Sequence, residues 1–234
     1  MEARAVKAVI FDLDGTLVDS APDIHAAANF VLRAEGVPPI PIATLRSFVG
    51  NGIPKLVERV MRARDIAFTE SRHIDLTAAF TRRYAAYPVE ESRLYAGVRK
   101  ALAALQQQGF ALGVCTNKNH AISVQILEGL GIDQFFDAVI GGDSLAVRKP
   151  DPAPLRACAD ALAAKQVVFV GDSEVDAATA KATGYPFALF TEGYRKSPVR
   201  AIPHDVAFAG FDGLGPVIHT LFQSADRGAG PQPE

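Results

Sequence analysis

The sequence predicts an α/β protein in which an all-helical domain is inserted after the first strand of a parallel sheet. Short apolar runs recur along the chain, and helical patterns separate most of them. One long region near the start, residues 20–91, carries helical patterns without a convincing strand. Strands that alternate with helices favour a parallel sheet covered on both faces, and the region without strands favours a separate helical layer.

The first strand is predicted at Val6–Phe11. This run is interrupted only by Lys7 and stops at Asp12, a pattern typical of a buried strand that ends in a polar loop.

The helical region after it is predicted to form a cap domain over residues 20–91. Pro22 suits the first turn of a helix, where a backbone N–H has no partner within the helix. The predicted cap helices are Pro22–Ala34, Thr44–Phe48, Ile53–Arg64 and Glu70–Tyr87.

Beyond residue 91 the α/β alternation resumes. Apolar runs with β-branched or aromatic residues predict strands at Phe110–Thr116, Ala138–Ile140, Val167–Val170 and Phe187–Phe190. Helices are predicted at Val98–Gln108, Ala121–Leu130, Pro152–Ala164 and Glu174–Thr183, three of them followed directly by a glycine that can end a helix. We expect residues 1–19 and 92–226 to form the core. From Gln223 the chain lacks apolar anchors, so we expect fraying there and a disordered tail at 227–234.

Composition excludes several classes of partner. The chain of 234 residues has a net charge of −2, which gives no basic stripe for nucleic acid. No apolar run approaches the ~20 residues of a transmembrane helix, and the N-terminus does not resemble a signal peptide. Cys115 and Cys158 are not in zinc-binding spacing, which favours reduced thiols in a cytoplasmic protein. No pattern indicates an oligomeric state.

Polar residues follow four of the predicted strands. Ligands of open parallel sheets bind beyond the carboxyl ends of the strands, so these residues are candidates for one site. In chain order the four loops contain Asp12-Leu13-Asp14-Gly15-Thr16, Thr116-Asn117-Lys118, Arg148-Lys149-Pro150-Asp151 and Gly171-Asp172-Ser173-Glu174-Val175-Asp176.

These residue types suit phosphoryl transfer. Carboxylates at Asp12, Asp14 and Asp172 would repel one another unless a divalent cation lay between them, and a site with few carboxylates suits Mg²⁺. A carboxylate can also attack phosphorus. Thr116 and Lys149 could hold the phosphate oxygens, and Asp14 could move the proton.

Each feature also has a plainer interpretation. Asp12-Leu13-Asp14-Gly15 could be a turn, Ser173 and Asp176 form a capping box, and Lys149 could be a solvated surface residue. The joint arrangement on successive strand ends favours the phosphoryl-transfer interpretation. Gly15 is expected to allow a tight turn that exposes backbone N–H groups to the phosphate.

The motifs resemble those of the haloacid dehalogenase superfamily. FDLDGT at Phe11–Thr16, Thr116 after its strand, Lys149 in RKPDP, and Gly171-Asp172 with Asp176 correspond to its successive motifs. The resemblance implies a Rossmann-like core with a helical cap and a Mg²⁺ cofactor. It further implies that Asp12 is the nucleophile and a metal ligand, that Asp14 is the general acid/base, and that Thr116 and Lys149 bind phosphate. The resemblance also implies that Asp172 and the backbone carbonyl of Asp14 bind the metal, with Asp176 beside it. The residues implied near the substrate are Gly15, Thr16 and Asn117.

Within the superfamily, Phe48–Gly52, Leu56–Arg59 and Gly141-Gly142-Asp143 resemble the phosphoglycolate phosphatases, which implies 2-phosphoglycolate, a small phosphorylated metabolite, as substrate. The Gly50-Asn51-Gly52 turn opens a predicted helix, and helix N-termini attract anions. Arg46 and Lys55 are nearby candidates for binding a substrate carboxylate.

Other functions stay open at this point. A pyrophosphatase or nucleotidase would use the same core. A phosphonoacetaldehyde hydrolase could form a Schiff base through Lys55. However, such enzymes lack an acid at the position that Asp14 occupies here. Sugar phosphomutases resemble the pattern DxDGV, whereas this chain continues as Asp14-Gly15-Thr16. A dehalogenase would not need Asp14, Lys149 and a metal-binding Asp172 together. A non-enzymatic binding module would not need Asp12, Asp14 and Lys149 together.

Overall fold

A computed structural model describes residues 6–228 of the chain. Its main sheet contains six strands: β1 (Lys7–Phe11), β4 (Ala111–Cys115), β5 (Ala138–Ile140), β6 (Gln166–Gly171), β7 (Phe187–Phe190) and β8 (Val206–Phe208). All neighbouring strands are parallel, and their order is β5-β4-β1-β6-β7-β8. The predicted α/β class is confirmed. Because β1 lies between β4 and β6, its carboxyl end is at the middle of the sheet edge.

Helices cover both faces of the sheet. They are α5 (Val98–Gln107), α6 (His120–Gly129), α7 (Ala153–Ala161), α8 (Glu174–Thr183) and α9 (Leu214–Gly228). Successive side chains of β1 point to opposite faces, so Ala8 and Ile10 pack in one apolar cluster and Val9 and Phe11 in the other. The central strand is therefore buried on both sides, as its nearly continuous apolar sequence predicts.

The predicted helical insertion is present as four helices, α1 (Ala21–Ala34), α2 (Ile42–Arg46), α3 (Ile53–Ala63) and α4 (Glu70–Ala86), which we call the cap. Leu76, Phe80 and Tyr84 recur every four residues on α4 and are all buried, because this spacing places them on one face of the helix. The predicted domain boundaries, between residues 19 and 20 and between residues 91 and 92, remain predictions.

Two short segments join the cap to the core as an antiparallel pair, β2 (Val18–Asp19) and β3 (Arg93–Leu94). Asp23 fixes the return of the chain, since its carboxylate accepts hydrogen bonds from the backbone N–H of Glu91 at 2.9 Å and of Ser92 at 2.8 Å. The Ser92 hydroxyl donates a third at 2.6 Å. Both connections between cap and core are therefore tied together at one point.

The structure corrects several predicted elements. Strands β2, β3 and β8 were not predicted, because two or three residues with partly exposed side chains leave little apolar pattern. Helix α2 begins at Ile42, two residues before its predicted start, and α9 continues to Gly228 through the region predicted to fray. The rest of the predicted tail, 229–234, lies outside the described residues.

Among residues 6–228, no helix combines the length and the apolar character needed to cross a membrane.

Candidate active site

The loops at the carboxyl edge of the sheet bring four of the predicted residues together. The Asp12 N–H donates to Val170 O at 2.9 Å, and the Thr116 N–H donates to Ile140 O at 2.9 Å, so both residues extend the hydrogen bonding of their strands. Asp172 directly follows β6, which is adjacent to β1. Rigid strands, rather than mobile loops, therefore hold these side chains.

Lys149 lies at the base of the site, between two carboxylates. Its Nζ is 2.9 Å from Asp12 Oδ1 and 2.6 Å from Asp176 Oδ1, and its side chain is only 2% exposed. Burial by itself lowers the pKa of Lys149, but the charges of Asp12 and Asp176 outweigh burial and hold the pKa above its ordinary value. Lys149 is therefore a fixed positive charge beside Asp12.

Two further contacts hold Asp172 in place. The Thr16 hydroxyl donates to Asp172 Oδ1 at 2.9 Å, and the Tyr194 N–H donates to Asp172 Oδ2 at 2.5 Å. Burial, followed by the charges of Asp176 and Asp12, raises the pKa of Asp172 well above its ordinary value. Burial also raises the pKa of Asp12, to about 7, although Lys149 opposes the rise. Without a further cation, burial thus favours the protonated forms of Asp12 and Asp172.

The same carboxylates are placed to hold a cation. One oxygen each from Asp12, Asp172 and Asp176 lies within 4.8 Å of the others. Asp12 Oδ1 is buried and has the Lys149 ammonium at ion-pair distance, but the described residues give it no well-aligned hydrogen bond. A buried carboxylate oxygen that lacks a well-aligned hydrogen bond and lies close to two other carboxylates fits a hard divalent cation. The Asp14 carboxylate is not part of this cluster.

Asp176 contributes mainly as an acceptor that organises its neighbours. Its Oδ2 accepts from the Ser173 hydroxyl at 2.6 Å and from the Ser173 N–H at 3.1 Å, and its Oδ1 accepts from Lys149. The capping box predicted from Ser173 and Asp176 is present at the start of α8. With both oxygens engaged, Asp176 is better suited to orient Lys149 than to bind a cation directly.

These pKa shifts predict an unusual dependence of stability on pH. In the metal-free protein, the folded state keeps a proton on Asp12 up to about pH 7, whereas the unfolded chain loses it near the ordinary value of 3.8. Unfolding then releases a proton between these pH values, so stability falls as the pH rises through this window, by a few kcal/mol at most. We expect a lower melting temperature at pH 8 than at pH 5, and a larger increase with Mg²⁺ at pH 8.

Asp12→Asn is the control for this prediction, because it removes one of the titrating groups and should make the profile less steep, while Asp172 continues to contribute. Calorimetry in EDTA and in Mg²⁺ measures both effects. A melting temperature that rises from pH 5 to pH 7 in EDTA would contradict the expectation.

Asp14 lines the same cavity as Asp12 and has partners of its own. Its Oδ1 accepts from the Ser20 hydroxyl at 2.5 Å and is 2.9 Å from Nζ of Lys118. The side chain is 12% exposed, so it is reachable from the cavity while its position is fixed. This placement suits a group that exchanges a proton with a bound ligand.

A cavity of about 450 Å³, including its opening to solvent, lies between the core and the cap. Its polar lining comes from the core loops and its apolar lining from the cap. The lining residues are Asp12, Asp14, Thr116, Asn117 and Lys118, with Ile24, Val49, Gly50, Gly52, Ile53, Leu56, Phe80 and Tyr84. Such a combination of an apolar enclosure with convergent polar groups is typical of a small-ligand site.

Asn117 links the cap to the core. Its Nδ2 donates to Gly50 O at 3.0 Å and to Lys149 O at 2.9 Å, so one amide group contacts both layers. Arg148 adds a contact to Asn51 O at 3.4 Å. The cap turn is therefore held against the core next to Lys149.

The cap turn itself requires glycine. Gly52 has φ +81°, a backbone conformation that favours glycine, and a Cβ there would displace the Arg148 guanidinium from the turn. The Asn51 side chain is engaged with Arg59, whose Nη2 donates to Asn51 Oδ1 at 2.8 Å. Asn51 thus shapes the turn, and its side chain does not point to a ligand site.

The structure does not bring two of the predicted cations to the cavity. Arg46 pairs with Asp19 at 3.1 Å and its side chain is 44% exposed. Lys55 pairs with Glu58, one turn further along α3, at 2.7 Å and is 49% exposed. Both lie on the cap surface, because nearby carboxylates and solvent satisfy them there.

The first loop also differs in detail from expectation. The Gly15 N–H donates to Val18 O and the Thr16 N–H to Leu13 O, so these groups close the turn and do not face the cavity. The Thr16 side chain is fully buried and contacts Asp172. Gly15 is required for another reason, since its φ is +84° and a Cβ would lie 2.5 Å from Asp172 Oδ2.

The roles of several site residues were not predicted from the sequence. Lys118 belongs to the predicted loop Thr116-Asn117-Lys118, but no particular contact was predicted for it. Tyr194 lies beyond the end of β7 and contacts Asp172 through its backbone N–H, a group that every residue except proline carries. Ser20 and Tyr84 gave no sequence signal, because only folding brings them beside Asp14 and Lys118.

Comparison with known proteins adds independent information. Residues 6–184 match the family model for haloacid dehalogenase-like hydrolases. The chain is 50% identical over 213 residues to a phosphoglycolate phosphatase of Cereibacter sphaeroides, covering 91% of this chain and 98% of the relative. It is 41% identical over 232 residues to a phosphoglycolate phosphatase of Rhodospirillum rubrum, covering 96% of each. A solved structure of a predicted phosphoglycolate phosphatase from Haemophilus somnus matches with a TM-score of 0.86 and 32% identity, covering 91% of this chain and 97% of that one.

Proposed function

This chain belongs to the haloacid dehalogenase-like hydrolase family, and we propose that it is a magnesium-dependent phosphatase that hydrolyses 2-phosphoglycolate to glycolate and phosphate. The observation that carries the proposal is the position of Asp12, a buried carboxylate that lines the cavity beside Lys149 and Asp172. The names of the similar proteins support the choice of substrate.

The first half of the reaction transfers the phosphoryl group to the protein. A carboxylate oxygen of Asp12 attacks phosphorus, and the bond between phosphorus and the ester oxygen breaks. Asp14 gives its proton to that oxygen, so glycolate leaves as the alcohol. Thr116 and Lys149 hold the non-bridging oxygens, and the positive charge of Lys149 stabilises the charge that develops on them.

The second half restores Asp12. Asp14, now ionised, takes a proton from a water molecule that attacks phosphorus. The bond between phosphorus and Asp12 breaks, and inorganic phosphate leaves. Because Asp14 ends each cycle protonated and Asp12 ends it ionised, the two carboxylates regain their starting states.

Mg²⁺, when bound by Asp12 and Asp172 with the Asp14 carbonyl, would neutralise charge on the phosphate and on the buried carboxylates. The residues fit this ion, since their oxygens converge and one of them lacks a hydrogen-bond partner. Asp176 keeps its position beside them by accepting from Lys149 and Ser173.

The small cavity between cap and core favours a small substrate over the closest alternatives. Asn117 and Arg148 hold the cap turn against the core, and apolar side chains such as Phe80 and Leu56 fill the cap side. A nucleotide would require this contact to open. The position of Lys55 at the surface, paired with Glu58, does not favour a Schiff-base mechanism for a phosphonate.

A panel of substrates tests the proposal. With Mg²⁺ present, we expect kcat/KM for 2-phosphoglycolate to exceed that for pyrophosphate, a nucleoside monophosphate, a hexose phosphate and phosphoserine by at least ~10-fold, or ~1.4 kcal/mol. Phosphate release is measured for each at equal concentration, with EDTA as the control that should abolish all activity. If pyrophosphate or the nucleotide gives the highest kcat/KM, the proposed substrate is wrong.

The cytoplasmic location predicted from the sequence stays a prediction.

A further inference from the structure

We infer that Lys118, positioned by Tyr84 of the cap, binds the carboxylate of the substrate and so determines the preference for 2-phosphoglycolate. This inference rests on the proposed function, because it names the group that recognises the non-phosphate end of that substrate.

Lys118 is an unusual lysine because it is buried where a ligand would bind. Its side chain is 3% exposed, and it lines the cavity two residues after Thr116. Nζ is 2.9 Å from Asp14 Oδ1 and donates to the Tyr84 hydroxyl at 2.5 Å. A loop of the core and a helix of the cap thus hold the same ammonium group.

The contacts of this ammonium are incomplete. An ammonium group has three donors, and a buried one is costly unless they are used. Asp14 and Tyr84 account for two of them in the described part of the chain. The third can reach a ligand in the cavity, and an anionic acceptor there would form the stronger, charge-assisted type of hydrogen bond.

Three other cations near the site have carboxylate partners of their own. Arg46 and Lys55 are paired at the surface with Asp19 and Glu58. Lys149 lies between Asp12 and Asp176, at the phosphoryl end of the site. Among the described residues that line the cavity, Lys118 is the cation left for a second anionic group.

The spacing of the two anionic groups agrees with this position. In 2-phosphoglycolate a single methylene separates the carboxylate from the phosphate ester, so their binding groups must be close neighbours. Thr116, proposed to hold the phosphate, and Lys118 are on the same short loop after β4. The apolar cap residues Ile53 and Leu56 offer no hydrogen-bond partners for a leaving group rich in hydroxyls.

Tyr84 acts as a positioning residue. Its hydroxyl accepts from Lys118, and its ring lies 4.4 Å from the ammonium, so it restricts the lysine to the cavity wall. Because Tyr84 belongs to α4, the cap sets the direction of a core lysine. Substrate specificity would then depend on a core residue, Lys118, that a cap residue, Tyr84, holds in position.

The test compares two substrates that differ only at the proposed contact. 2-Phosphoglycolate carries the carboxylate, and 2-hydroxyethyl phosphate replaces it with a hydroxymethyl group. For Lys118→Met we expect kcat/KM to fall about 100-fold or more on 2-phosphoglycolate and less than about 10-fold on 2-hydroxyethyl phosphate. The preference of the wild type should therefore collapse. Tyr84→Phe should reduce the preference several-fold, mainly through KM.

Two further variants keep the test decisive. Lys118→Arg retains the charge and should retain part of the preference, whereas Lys118→Gln provides a second neutral variant if Lys118→Met does not fold by circular dichroism. Lys55→Met tests the competing cation. If the preference collapses in Lys55→Met and not in the Lys118 variants, the inference is wrong.

The outcomes separate this inference from the proposed function. An equal loss on both substrates in Lys118→Met would mean that Lys118 acts only on Asp14, which overturns the inference but leaves the wild-type preference intact. Equal kcat/KM values of the wild type on the two substrates would instead overturn the proposed function, and the carboxylate contact with it.

Discussion

Asp12→Asn should abolish turnover of 2-phosphoglycolate, lowering kcat by a factor on the order of 10⁴ or more. The amide has nearly the same shape as the carboxylate, so it fits the same space beside Lys149, but it is a poor nucleophile and a weak ligand for a cation. The effect should be equally large on every phosphate ester, because the variant removes the group that accepts the phosphoryl group. Phosphate release under saturating substrate and Mg²⁺ measures it.

The fold of this variant should be intact. Burial raises the pKa of Asp12 to about 7, so replacing it with a neutral group removes an unfavourable charge above that pH. We expect the metal-free variant to melt no lower than the wild type at pH 8. Asp75→Asn, on the exposed face of α4, is the matched control for the same chemical change and should keep full activity. Wild-type rates in Asp12→Asn would refute the mechanism.

Lys149→Met should damage both catalysis and stability. The variant keeps the length of the side chain but leaves Asp12 and Asp176 buried together without their shared cation. Removing one partner from a buried ion pair costs about 3–5 kcal/mol, and losing a charge that stabilises the transition state costs about 10³-fold in kcat. Urea unfolding at pH 8 and phosphate release measure the two effects separately.

A second substitution identifies the cause of the instability. In Lys149→Met/Asp176→Asn one of the two stranded carboxylates is neutral, so part of the lost free energy of unfolding should return while activity stays low. Lys100→Met is the control, because Lys100 is 84% exposed and its removal should change stability by less than about 0.5 kcal/mol. The role assigned to Lys149 fails if Lys149→Met is as stable and as active as the wild type.

Much of the fold followed from local pattern. The run Val6–Phe11 and its polar end placed Asp12 directly after the first strand, and the helical patterns before residue 91 are the four helices of the cap. Strand β8 was not predicted because Val206 is half-buried and Ala207 is exposed at the sheet edge, where an apolar run is not needed. Apolar periodicity reports burial, and short edge elements have little of it.

The site, like the fold, was predictable only where local pattern was enough. Asp12, Thr116 and Asp172 could be placed near one another because parallel strands end at a common edge. The partner of Thr16 could not be predicted, since Asp172 is 156 positions away in sequence. Arg46 and Lys55 looked suitable by charge and proximity in the chain, but their neighbours Asp19 and Glu58 hold them at the surface.

The sequence by itself therefore determined the α/β class, the helical insertion and the set of residue types for phosphoryl transfer. Those features depend on periodicity and on the polar residues at the end of each strand, which are local properties of the chain. Only the tertiary structure decided which cation faces the cavity. Lys118 does so because Tyr84, 34 positions earlier, and Asp14, on another strand end, meet its ammonium there. Contacts between distant segments form when the cap packs on the core, and no local pattern records them.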